Sequence, residues 1–188
     1  MKKWITFFLL LACVIGLFGC EDASLPTGAL PNEISDITVS FAGWHEGEFL
    51  GGLNADRMSE NKTRHLPIYR FDRVEDIAAF RENSRAFVFD HSHNEFPSFN
   101  DTVSHYDGAF FAENVLFAVY VPAESGTYRY GVRSVACEGG GFTVFVEQTN
   151  RPEAVTLDLT GWFITLAAPR AMIEGCTEFD AVYAGIKE

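Results

Sequence analysis

The sequence predicts an α+β protein that is mainly β: an antiparallel sheet or sandwich with two to four short helices. Three observations carry that prediction. Val115 to Val121 is apolar at every position, the pattern of an interior strand covered on both faces. Tyr128, Tyr130 and Val132 alternate with Thr127, Arg129 and Gly131, and Phe142, Val144 and Val146 repeat that two-residue period beyond a Gly139-Gly140-Gly141 turn. Helical spacing is confined to short segments bounded by capping and turn residues.

The domain is expected to begin near Asp36 and run to residue 188. Ile37 to Trp44 alternates, with Ile37, Val39 and Phe41 facing the core. His45 to Arg64 is polar and Gly-bearing and reads as a loop. His65 to Phe71 resumes as a strand that Pro67 pushes to an edge. Asp72 and Glu75 have the spacing of a capping box, which predicts a helix from Arg73 to Glu82 with Ile77, Ala78 and Phe80 inward. Arg85 to Phe89 reads as a short strand.

Asp90 to Asn114 is the most irregular part. Phe96 and Phe99 are expected to anchor a covered loop, Asn100 or Asp101 to cap a short helix, and Asp107 to Glu113 to form another. The alternation of the central hairpin slips between Val132 and Val135, which predicts a bulge at Arg133-Ser134. Val155, Leu157 and Leu159 suggest a further strand, and Trp162 to Ala168 another. Pro169 is placed to start a helix over Arg170 to Glu174, ended by Gly175. Phe179 to Tyr183 closes the domain. Trp44 and Trp162, each beside a glycine, and Phe163 are expected in the core rather than along a groove.

The net charge is −12, from 14 basic and 26 acidic residues. Such a chain is not expected to bind nucleic-acid backbones or anionic lipid through its own surface. The length suits one domain with a substantial core.

The N-terminus reads as an address. Lys2 and Lys3 precede an apolar run from Ile5 to Phe18, a secretory signal too short to span a membrane with confidence. The run ends in Leu17-Phe18-Gly19-Cys20, which resembles the bacterial lipobox. That resemblance implies a signal peptide over 1–19, cleavage before Cys20, lipid on the Cys20 sulfur and acylation of the new amino group. Two or three chains, at about 0.8 kcal/mol per buried CH₂, hold a protein stably on a bilayer. Residues 20–35, with Pro26, Pro31 and Gly28, read as a flexible tether. The expected location is the outer face of a bacterial cell membrane, with the lipid as the membrane contact.

Four cysteines are present. Cys13 leaves with the signal and Cys20 takes lipid, so Cys137 and Cys176 remain. In an exported protein a disulfide between them is the default. Closing a loop of about 39 residues is worth about 4 kcal/mol on the chain-entropy account. Two buried thiols and a reactive cysteine stay open as alternatives.

Few residues have the look of chemistry. His91 and His93, with His105 following and Asp90, Asp101 and Asp107 around them, are the candidate metal ligands: His-x-His at a strand end puts two imidazoles on one side. The opposing reading is a polar loop. Ser59-Glu60-Asn61-Lys62 matches Ser-x-x-Lys without the partner motifs that make it an active site. There is no Gly-x-Ser-x-Gly elbow and no cofactor motif, so no enzyme activity and no cofactor are expected. Glu153 and Asp158, and Glu174 and Glu178, read as surface charge. The sequons at Asn61 and Asn100 read as chance.

Two resemblances remain. Phe110-Phe111-x-Glu113-Asn114, the Val115 to Val132 stretch, Val146-Glu147-Gln148-Thr149-Asn150-Arg151-Pro152-Glu153 and Thr160-Gly161-Trp162 look like the C-terminal half of small Gram-positive lipoproteins, a likeness that brings no activity with it. The order strand, Gly126-Thr127-Tyr128, strand, Gly-rich turn, strand is similar, over about 60 residues, to the C-terminal domain of the protease-complex subunit PrcB. That likeness implies a β-domain that binds a protein. The expectation is therefore a lipid-anchored, non-catalytic accessory protein with a protein or cell-envelope partner. A His-loop metal binder and a partner or inhibitor of an exported protease are the alternatives.

Overall fold

The computed structural model describes residues 33–44, 64–156 and 158–187. The expected signal peptide, Cys20, most of the expected tether, residues 45–63 with Ser59 and Lys62, Leu157 and the Trp44 side chain lie outside these residues. In chain order the strands are β1 (Ser35–Phe41), β2 (Gly43–Trp44), β3 (Arg64–His65), β4 (Ile68–Phe71), β5 (Phe87–Val88), β6 (Asn114–Ala123), β7 (Tyr130–Glu138), β8 (Gly141–Gln148), β9 (Thr160–Pro169) and β10 (Glu178–Ile186). The helices are α1 (Val74–Asn83), α2 (Phe99–Val103) and α3 (Gly108–Glu113).

The architecture is mainly β, as expected. One sheet, in the order β1-β9-β6-β4, is antiparallel throughout. The other, in the order β3-β10-β8-β7, is mixed, because β10 runs parallel to β8. A purely antiparallel sheet was the simpler expectation. The parallel pair arises because the chain crosses from β8 through β9 in the facing sheet before it returns as β10. A two-residue pairing of β2 with β5 completes the strands.

The antiparallel sheet is the middle layer, and its strands show why Val115 to Val121 carries no polar position. Val115, Phe117, Val119, Trp162, Ile164 and Leu166 face the second sheet, meeting Phe142, Val144, Val146 and Ala181. Leu116, Ala118, Tyr120 and Phe163 point the other way, into a second core roofed by Ile77, Phe80, Phe87, Phe89, Phe99 and Phe111 from the helices, β5 and a loop. Both faces of β6 and β9 are thus buried, and at about 25 cal/mol per Å² this apolar area is the main source of stability. Trp162 and Phe163 are core residues, each fully buried.

The hairpin matches its sequence. Val132 pairs with Val146 and Ser134 with Phe145, so Arg133 is the extra residue of a bulge. Gly139 and Gly140 turn it at φ +59° and +83°, the pair of positive values a two-residue hairpin turn needs.

Several expected elements differ. His65 to Phe71 is two strands in two sheets, each an edge, with Pro67 at the crossover. Helix α1 starts one residue late: Arg73 is the N-cap with no side-chain bond, and Asp76 rather than Glu75 reaches back to the Asp72 amide at 2.9 Å. Burial works against the Asp76 charge. Hydrogen bonds from Arg73 and that amide prevail and hold its carboxyl below the usual range. In α2 the cap is Ser98, in a complete capping box with Asp101. Asp107 caps α3 through the amides of Ala109 and Phe110. Val155 and Leu159 are exposed and lie outside the described strands. Ile37, expected inward, is also exposed, since the bulge after Ser35 displaces the start of β1. Arg170 to Glu174 makes successive tight turns instead of a helix, with Ile173 N on Arg170 O and Cys176 N on Ile173 O.

Candidate functional site

The turns after β9 shape a concave feature of the surface. An open basin of about 530 Å³ is lined by Arg70 of β4 and by Arg170, Ala171, Ile173, Glu174, Gly175 and Cys176. Asp72 organises its charged wall. Its Oδ1 accepts from Arg70 Nη2 at 2.8 Å and from Arg170 Nη1 at 3.1 Å. Arg170 also donates to the carbonyls of Asp72 and Phe111. Arg70 lies over the Phe179 ring, 4.6 Å from its centre, in a cation–π contact. Two guanidiniums thus share the Asp72 carboxylate, and with Glu174 also in the lining the charges of the basin balance. Sequence reasoning assigned Asp72 to a helix cap and gave Arg70 and Arg170 no role. Their meeting joins elements almost a hundred residues apart, and no local pattern signals it.

At one side of the basin sit the two cysteines. Cys137 is the penultimate residue of β7 and is exposed, and Cys176 is half-buried in the last turn before β10. Their Sγ atoms are 3.1 Å apart, and the structure holds both as thiols. Cys137 Sγ also lies 3.3 Å from Met172 O. The hydrogen bond to Cys176, then burial, pushes the Cys137 thiol up from its ordinary pKa. The pairing expected from sequence is therefore a true spatial neighbourhood, without a bond in this structure.

The metal set His91, His93 and His105 is not brought together. Among the described residues no three His, Cys, Asp or Glu side chains are grouped to hold a metal ion. The rings are instead used in packing. His93 stacks on Phe41 at 4.9 Å and His91 meets it edge-on at 5.4 Å, while His105 rests on Tyr106 at 4.0 Å. Asp101 and Asp107, the nearby carboxylates, are committed to capping α2 and α3.

At the open end of the hairpin, polar groups tie two loops together. Asp158 Oδ1 accepts from Gly126 N at 3.2 Å and contacts Thr156 Oγ1, and Ser125 Oγ, buried, lies 2.8 Å from Thr127 Oγ1. Asn150 bridges Arg129 N and Thr127 O. The Arg129 guanidinium covers Phe96 and Trp162 at 4.7 and 5.4 Å. Asp158 is thus a loop tie rather than idle surface charge. The Thr156 hydrogen bond, with the Gly126 amide behind it, holds its carboxyl below the ordinary 3.8 despite opposing desolvation. A depressed folded-state pKa gives stability that is present above about pH 4 and lost as pH falls through the folded value. Asp158→Ala is expected to cost less than about 1 kcal/mol at neutral pH, because solvent screens an exposed carboxylate. In denaturant titrations between pH 7 and 2 the gap to wild type should close on acidification. A gap independent of pH would remove Asp158 from this role.

The fold and these sites describe a two-sheet β protein with a helical cover and an arginine-walled basin. No protein-family model matches the chain, and no curated protein and no solved structure matches it.

Proposed function

We propose that the chain is a lipid-anchored accessory or binding protein on the outer face of a bacterial cell membrane, without catalytic activity of its own. The observation that carries this reading is Leu17-Phe18-Gly19-Cys20 at the end of a basic start and an apolar run. The packing is in keeping with it: the two long central strands are consumed by the cores, so recognition falls to loops and turns. The basin is one concave surface among the described residues, and its two guanidiniums, set between Asp72 and Glu174, offer fixed hydrogen-bond donors to a polar or acidic group on a protein or cell-envelope partner. Export also brings the Cys137 and Cys176 thiols into an oxidising compartment, where a bridge is the default.

The test is metabolic labelling with an alkyne fatty acid followed by membrane fractionation. The wild-type chain should be labelled and sediment with membranes. Cys20→Ala should lose the label and accumulate as uncleaved precursor. Equal labelling of the Cys20→Ala chain, or a wild-type chain found only in the cytoplasm, contradicts the reading.

A further inference from the structure

We propose that Cys137 and Cys176 form a reversible redox latch, which joins the tip of the β7–β8 hairpin to the turn walling the arginine basin. The two sulfurs stand 3.1 Å apart and need to approach by about 1 Å to reach bonding distance. The scaffold holds them there without the bond. Thr177 N and Glu178 N both donate to Gly140 O, at 2.8 and 3.3 Å, so the turn is already fastened to the hairpin. Beyond it, β10 pairs with β8 from Glu178↔Gly141 onward. The sulfurs already face each other across one short approach, and the exposure of Cys137 lets small oxidants and reductants reach the pair, with its raised pKa slowing rather than preventing exchange.

The reaction balances with a disulfide oxidant. One thiolate attacks the oxidant's disulfide and expels one thiol, forming a mixed disulfide. The second cysteine thiolate attacks the protein sulfur of that mixed bond and expels the other thiol. Two cysteine thiols and one external disulfide become one internal disulfide and two external thiols. Because the backbone bonds to Gly140 O do not depend on the sulfurs, both redox states are folded. They differ in how firmly the Cys176 wall of the basin is held.

The experiment incubates the purified full chain with oxidised glutathione, then alkylates it and maps the Cys137 and Cys176 peptides by mass. One internal link between them is expected. Dithiothreitol should restore two alkylatable thiols with the circular dichroism spectrum unchanged and a lower melting temperature. Cys137→Ser and Cys176→Ser should each fail to form the link, and the double variant should retain the wild-type spectrum. Two alkylated thiols after oxidation, a link to another chain, or unfolding on reduction would each overturn the latch. The test is independent of export: a closed latch in a chain that proves cytoplasmic refutes the location alone, and open thiols in a lipidated chain refute the latch alone.

Discussion

Phe163→Ala is expected to destabilise the protein by about 3–5 kcal/mol, the range for a large aromatic lost from a closed core. Phe163 is the hub of the layer between the middle sheet and its helical cover. Its ring lies 4.9 Å from Phe99, 5.0 Å from Phe87, 5.5 Å from Tyr120, 6.0 Å from Phe80 and 6.2 Å from Phe89. These partners come from α1, β5, the loop after it, α2 and β6, so truncation opens a cavity that no single element can close by shifting. At about 2–4 °C per kcal/mol for a chain of this size, the melting temperature should fall by roughly 10 °C. Thermal melts of the two proteins decide it. A fall of only a degree or two would mean that the helical cover is not packed on β9 as described.

Gly161→Ala is the second large effect. A Cβ at this position would stand 2.6 Å from Tyr120 Cε2 and 2.6 Å from its hydroxyl oxygen, inside any van der Waals contact. Tyr120 cannot swing aside, since it is 1% exposed and packed on Phe87 and Phe163. The backbone cannot yield either, because Gly161 pairs with Pro122 in the centre of the sheet and its carbonyl accepts from Ala42 N. Overpacking of this kind costs about 1–3 kcal/mol. The clash has a signature that simple loss of packing lacks. In a Tyr120→Leu background, where the offending atoms are gone, adding Gly161→Ala should cost much less than it does alone. Additive costs in that double-mutant cycle would rule out the steric explanation.

The parts of the fold that could be read from residues are those where one local pattern has one physical cause. The unbroken apolar run of β6 has no use on a half-exposed strand, so its burial on both faces followed directly. The slip between Val132 and Val135 had only a bulge to explain it, and three glycines in a row marked the turn. What could not be read depended on partners distant in sequence. Val155, Leu157 and Leu159 alternate as a strand does, but alternation supplies no neighbour, and the described members, Val155 and Leu159, stay exposed in a loop. The parallel run of β10 beside β8 is set by which sheet the chain visits in between. Pro169 suits a helix start equally with the strand end it occupies.

The same division holds for the sites. The nearness of Cys137 to Cys176 was legible because only two cysteines remained after the address was read. The three histidines looked alike on paper, yet His91 and His93 both pack on Phe41 while His105 rests on Tyr106. Arg70, Asp72 and Arg170 were illegible as a group, since the contact that unites them spans β4 and the turns after β9.

The most direct measurement of the proposed role is the intact mass of the mature chain extracted from membranes, before and after alkaline removal of ester-linked acyl chains. The account predicts a chain that begins at Cys20 and carries a diacylglyceryl group, with acyl mass lost on that treatment and no such species from Cys20→Ala. A full-length, unmodified chain, or a cleaved chain with no lipid on Cys20, would contradict it.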